Sequence, residues 1–104
     1  MFPHTMLGMT LAEFRATLNE SDPPKALHGL LIGLWWEAKG DWDKAHSLAQ
    51  DVPGRDGAWV HAYLHRKQGD EGNAGYWYRQ AGQPHCRLSS DDEWAQIVTE
   101  LLAR

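Results

Sequence analysis

The chain has 104 residues, 42% of them hydrophobic, a net charge of −4 and a pI near 5.8. That length suits one domain, and that composition supports a packed core and excludes a disordered chain. The acidic balance, with Arg66, Lys67 and Arg87 scattered among acids, excludes the clustered basic footprint of a nucleic-acid binder.

No window approaches eighteen consecutive apolar residues, so no membrane span is expected. The stretch Met1–Leu7 has neither a charged n-region nor a long apolar run, so no signal peptide is read there. One cysteine, Cys86, precludes an intrachain disulfide. Together these features point to the cytoplasm. The six tryptophans each carry on the order of 200 Å² of buriable surface, enough to compensate for the poor surface-to-volume ratio of a small chain.

Six helices are predicted. The first begins at Thr10, where Thr10-Leu11-Ala12-Glu13 has capping-box spacing and Met9 can staple to Phe14. The second runs from Pro23 to about Lys39, capped by Asp22, and its segment Ala26–Trp36 is apolar nearly all round. Gly29 and Gly33 leave a smooth strip on it where another helix can approach. Gly40 stops this helix, Asp41 caps a third over Trp42–Gln50, and Asp51-Val52-Pro53-Gly54 reads as a loop. Asp56 caps a fourth over Gly57–Gln68, and Gly69-Asp70 repeats the stop and cap before a fifth that ends at Ala81. The last starts at the capping box Ser90-Asp91-Asp92-Glu93. Trp94, Ile97, Val98, Leu101 and Leu102 then form its apolar face, which is expected to seal the end of the stack.

The pattern Gly40-Asp41-Trp42-Asp43-Lys44-Ala45 returns as Gly69-Asp70-Glu71-Gly72-Asn73-Ala74, twenty-nine residues on. In this register Gly33 matches Ala62, Ala45 matches Ala74 and Leu48 matches Trp77. The spacing of these small and bulky residues about the glycine resembles the tetratricopeptide repeat. Asn73–Gly82, with its Trp77-Tyr78 pair, Ala81 and closing Gly82, is similar to the Sel1-like variant. Trp35–Asp41 together with His61–Lys67 also resembles a group of short uncharacterised proteins.

The expected fold is therefore a single all-α domain of antiparallel helical hairpins. Repeat units span about residues 26–51 and 56–82, flanked by an N-terminal helix and a C-terminal sealing helix over about 90–103. The resemblance implies stacked helix pairs with a concave face that binds peptides or proteins. Matching positions in the two units predict a core of Leu34, Trp36, Ala45, Ala62, Leu64, Ala74 and Trp77. A two-unit array is short, and the glycine strip offers a contact surface, so a homodimer is expected.

Two functional readings arise. His61 and His65 stand four apart on one helix, one turn from each other on one face, a spacing that suits two ligands of one metal ion. An antiparallel neighbour can bring His46 to them, and Glu37, Asp41, Asp43 or Asp51 can complete the shell. The bland alternative is that both histidines are core residues bonded to neighbours. The reading taken first is a helical-repeat interaction module that holds a protein segment or small ligand in an aromatic and histidine-lined groove, formed by Trp35, Trp36, His46, His61, His65 and Tyr78, with Arg66 at its rim; a small metal-binding protein or enzyme using His46, His61 and His65 is the alternative. In the consecutive pairs Trp35-Trp36 and Trp77-Tyr78 only one member can face the core, since neighbours diverge by about 100°. No nucleophile constellation stands out: Ser47 cannot face the adjacent His46, and Cys86 beside His85 reads as an inert loop thiol.

Overall fold

The computed structural model describes residues 8–27 and 29–104, so the N-terminal stretch read for a leader and His28 lie outside the described residues. It is all-α: α1 (Leu11–Thr17), α2 (Leu30–Ala38), α3 (Trp42–Gln50), α4 (Arg55–Lys67), α5 (Glu71–Ala81) and α6 (Ser90–Ala103), with no strand among the described residues. No described helix is long and apolar enough to cross a membrane.

Local signals set most boundaries. At α1 the Thr10 hydroxyl accepts from the Glu13 amide (3.1 Å) and the Glu13 carboxylate accepts from the Thr10 amide (2.8 Å), closing the expected capping box. The two Gly-Asp turns have one geometry. Gly40 and Gly69 sit at φ 99° and 89°, in the left-handed region that favours glycine. The Asp41 and Asp70 amides each donate to a carbonyl five residues back at 2.9 Å, and each carboxylate caps its helix through the Lys44 or Asn73 amide.

Three boundaries differ from expectation. α2 starts at Leu30, not after Pro23, because Gly29 takes φ 60° and breaks the helix, and the chain before it closes only a turn from the Leu27 amide to the Pro24 carbonyl. α4 starts at Arg55, not Gly57. Asp56 therefore lies inside the first turn, where it accepts two hydrogen bonds from Arg104 (2.8 and 3.0 Å) instead of capping the helix. Ser89, not Ser90, caps α6, its hydroxyl accepting from the Asp92 amide. Glu93 is then not the third residue of the capping box, and it is fully buried in the core.

Consecutive helices α2 to α5 pack on one another in order, with α4 against α5 the most extensive pair. α6 does not close the end of this row. It lies across α2 and α4, the first helices of both hairpins, with α1 packed on it. The Trp94 indole N–H donates to the Leu34 carbonyl (3.1 Å), and the Trp94 ring meets Phe14 at 5.7 Å. The apolar surface of α2 and α4 needs this cover, since Leu34, Val60 and Leu64 are wholly buried. Gly33 lies against α3: a Cβ there would stand 3.5 Å from the Ala45 carbonyl oxygen and 3.6 Å from the Leu48 side chain. The smooth face of α2 is thus spent within the chain. Gly29 has open space around it.

Of the expected core, Leu34, Ala45, Ala62, Leu64 and Ala74 are fully buried. Trp36 and Trp77 are only half-buried, because their partners Trp35 and Tyr78 take the inward direction. Trp35 donates its indole N–H to the Thr17 hydroxyl (3.0 Å), while Trp36 lies under the Lys44 ammonium at 3.8 Å.

Two buried carboxylates bind α4 to its neighbours. Glu37 of α2 accepts from the Tyr63 hydroxyl (2.7 Å) and pairs with Lys67. Glu93 of α6 accepts from the Tyr78 hydroxyl (2.6 Å) and from two nitrogens of Arg66 (2.9 and 3.0 Å). Burial first, and the adjacent carboxylate second, push both phenols well above the usual tyrosine range, so both remain donors.

Removing one member of such a set strands the others. Glu93→Ala should destabilise by about 3–5 kcal/mol in urea unfolding, as expected when a buried ion pair loses one partner. Trp35→Ala should also cost about 3–5 kcal/mol. The half-exposed Trp77→Ala should cost only about 1–2 kcal/mol. Equal losses for the two tryptophans in thermal melts would contradict this assignment of the inward faces.

Candidate functional site

α3 and α4 run antiparallel in one register over three turns. Near the start of α3, the Trp42 indole N–H donates to the Leu64 carbonyl at 2.9 Å, and the Trp42 ring meets His65 edge-on at 5.9 Å. One turn on, His46 Nε2 lies 2.9 Å from His61 Nε2. At the far end the α3–α4 loop presses on α4: a Cβ on Gly57 would stand 2.0 Å from the Val52 carbonyl oxygen, so only glycine fits there. This register follows from the sequence. Residues 57, 61 and 65 share one α4 stripe, and 42, 46 and 49 share one α3 stripe.

Three imidazoles therefore converge. One ring nitrogen from each of His46, His61 and His65 lies within 4.8 Å of the other two. The His61 and His65 rings are near-parallel (4.9 Å, 21°), and His46 stands across both, at 78° and 83°. Aromatic walls fix the rings from outside. Trp42 stacks on His46 at 4.8 Å and 10°, and Trp77 stacks on His61 at 4.0 Å and 16°. His61 and His65 are buried, while His46 is half-buried and brings the cluster to the surface.

The hydrogen bonding is incomplete. His46 and His61 satisfy each other through one shared proton. His65 Nδ1 has no partner, and it is the one such buried side-chain atom among the described residues. A buried polar atom without a partner costs about 1–3 kcal/mol and calls for an explanation. Burial, then the neighbouring imidazoles His46 and His65, push His61 down to about 4. His46 is also lowered, by burial and then His65, against a smaller opposing effect of Asp43.

The other expected site residues lie elsewhere. Trp35, Arg66 and Tyr78 are engaged in the core contacts described above. Trp36 lies beneath Lys44. Of the carboxylates considered for a shell, Glu37 is bound to Tyr63 and Lys67, and Asp41 caps α3. Asp43 is exposed and acts on His46 through its charge. Cys86 is half-buried with its thiol pushed up by burial, as befits an inert group. Trp42 and Trp77, the two walls of the histidine cluster, are not among the site residues expected from the sequence. The four-residue spacing of Trp42 from His46 on α3 carries the signal for one, and the place of Trp77 on α5, the helix packed on α4, carries it for the other.

The lowered imidazoles link stability to pH. The unfolded chain takes up protons near pH 6.5, whereas folded His61 resists until about pH 4. The unfolded state therefore binds more protons in that window, and stability falls as pH drops through it. The melting temperature of metal-free protein should fall between pH 7.5 and 5, and His61→Ala should flatten that dependence. A melting temperature that rises on acidification would contradict the assignment. No protein-family model, curated protein or solved structure matches the chain.

Proposed function

We propose that the protein binds a divalent transition-metal ion through His46, His61 and His65. What carries this reading is the convergence of three buried or half-buried imidazoles, one of which has a ring nitrogen with no protein partner. Metal–nitrogen bonds of about 2.0–2.1 Å in tetrahedral geometry hold ligand nitrogens roughly 3.3 Å apart. One nitrogen from each ring lies within 4.8 Å of the other two, near enough for a single ion to draw them together. The ion would replace the His46–His61 hydrogen bond.

Among the described residues no thiolate or carboxylate joins the three imidazoles, a donor set that suits zinc, copper or nickel and disfavours calcium or magnesium. With three protein ligands the fourth position is open, as in a catalytic or ligand-binding centre. The alternative reading, a module that grips a protein segment in an aromatic groove, draws on exposed Tyr76 (46%) beside half-buried Trp77. It has less support, because Trp35, Arg66 and Tyr78 are already engaged in packing. In either case we read the two hairpins as tetratricopeptide-like units, on the strength of their matching Gly-Asp turns.

Calorimetric titration of metal-free protein with Zn²⁺ at pH 7.5 should give one site per chain. His61→Ala and His65→Ala should each weaken it at least 100-fold while circular dichroism retains the helical signal. Free metal at about 100 times Kd should stabilise the native protein by roughly 2.7 kcal/mol. Micromolar Zn²⁺ that produces no heat, or affinity indifferent to the three histidines, would refute the proposal.

A further inference from the structure

A cleft of about 630 Å³ lies away from the histidine cluster, where the first residues of α2 and α4 meet the ends of α5 and α6. Its volume falls within the range of small-molecule sites, roughly 300–1,000 Å³. One part of the lining is apolar. Leu30, Leu31, Ala81 and Leu101 come from three helices, and Val52 and Pro53 from the α3–α4 loop. Val52 and Leu101 are only half-buried and Pro53 is exposed, so the described chain leaves this surface partly uncovered. The other part is cationic, with two guanidiniums, Arg55 and Arg104, against one carboxylate, Asp56. Arg104 already holds Asp56 through two hydrogen bonds (2.8 and 3.0 Å). Arg55 is placed by packing. A Cβ on Gly82 would stand 3.8 Å from its Cζ, Nε and Nη1 alike, so the guanidinium lies broadside on the bare side of Gly82. No described residue forms a hydrogen bond or ion pair with this side chain, and residues 1–7 and 28 carry no carboxylate.

We infer that this cleft binds a small carboxylate with an apolar tail, its head group on Arg55 and its tail over Val52, Pro53 and Leu101. A guanidinium presents paired N–H donors in a planar fork that matches the two oxygens of a carboxylate. Laying that fork against Gly82 fixes its plane before a ligand arrives, so less side-chain freedom is lost on binding. Arg104 and Asp56 neutralise each other, which leaves the net positive charge of the lining at Arg55. The uncovered apolar side chains beside it then favour a tail over a bare anion, because the tail removes their surface from water. None of the three clustered histidines borders the cleft, so the inference stands apart from the metal reading.

The test titrates octanoate, octylammonium and acetate into the isotope-labelled full chain and follows the Arg55 Nε–H and Gly82 amide resonances. Octanoate should shift both resonances. It should bind at least tenfold tighter than octylammonium, which has the same chain and the opposite charge, and at least tenfold tighter than acetate, which has the head group without the tail. Arg55→Gln should weaken octanoate at least tenfold while circular dichroism is unchanged. Arg79→Gln removes the same charge from an exposed position of α5 outside the cleft, and should change octanoate affinity less than twofold. Octanoate bound no tighter than octylammonium or acetate overturns the inference. Equal losses in the two glutamine variants overturn it too, since they would mean attraction by overall charge and not by a site. Shifts confined to residues outside the cleft do the same.

Discussion

The rotation of α4 about its own axis is the constraint on which the rest depends. A helix of thirteen residues that touches four others can present any of several faces to each. Two buried carboxylates remove that freedom. Glu37 holds Tyr63 and Lys67 on the α2 side, and Glu93 holds Arg66 on the α6 side. Residues 63, 66 and 67 lie on one sector of the helix, so the sector carrying Gly57, His61 and His65 must turn to α3. Buried ion pairs add little net stability compared with well-packed apolar residues, but stranding one member is expensive. Their effect here is selective: a rotated α4 would leave both carboxylates uncompensated.

Given that rotation, the chemistry of the site follows from solvation. Burial disfavours the charged imidazolium of His46 and His61, and the neighbouring rings disfavour it further. Neutral imidazoles are the form that binds a transition metal. The indoles of Trp42 and Trp77 stack on two of the rings and restrict their swing, a task that second-layer hydrogen bonds perform in many metal centres. Among the described residues no carboxylate joins the three convergent nitrogens, so an ion held by them would keep its charge and a free position.

Much of the fold was legible in the sequence because its signals are local. The Gly-Asp turns need only a left-handed residue and a side-chain cap, and both turns fall where the repeat put them. The pairing of His61 with His65 needs only helical periodicity, and the approach of His46 needs only antiparallel neighbours. What was not legible depends on tertiary packing. Nothing local says that Trp35 turns inward and not Trp36, nor that Glu93 leaves an acidic run to meet Arg66 and Tyr78 across the core. Nor does the amphipathic pattern of α6 say that it lies across α2 and α4 and not at the end of the row. The break at Gly29 was hidden because the apolar run around it reads as helix, and only the backbone shows its left-handed φ.

X-ray absorption at the zinc edge of the loaded protein examines the centre atom by atom. Three imidazole nitrogens at about 2.0–2.1 Å, with one lighter oxygen or nitrogen scatterer and no sulfur, is the coordination expected. Fewer than three imidazoles, or a sulfur near 2.3 Å from the single thiol Cys86, would contradict a centre built from His46, His61 and His65.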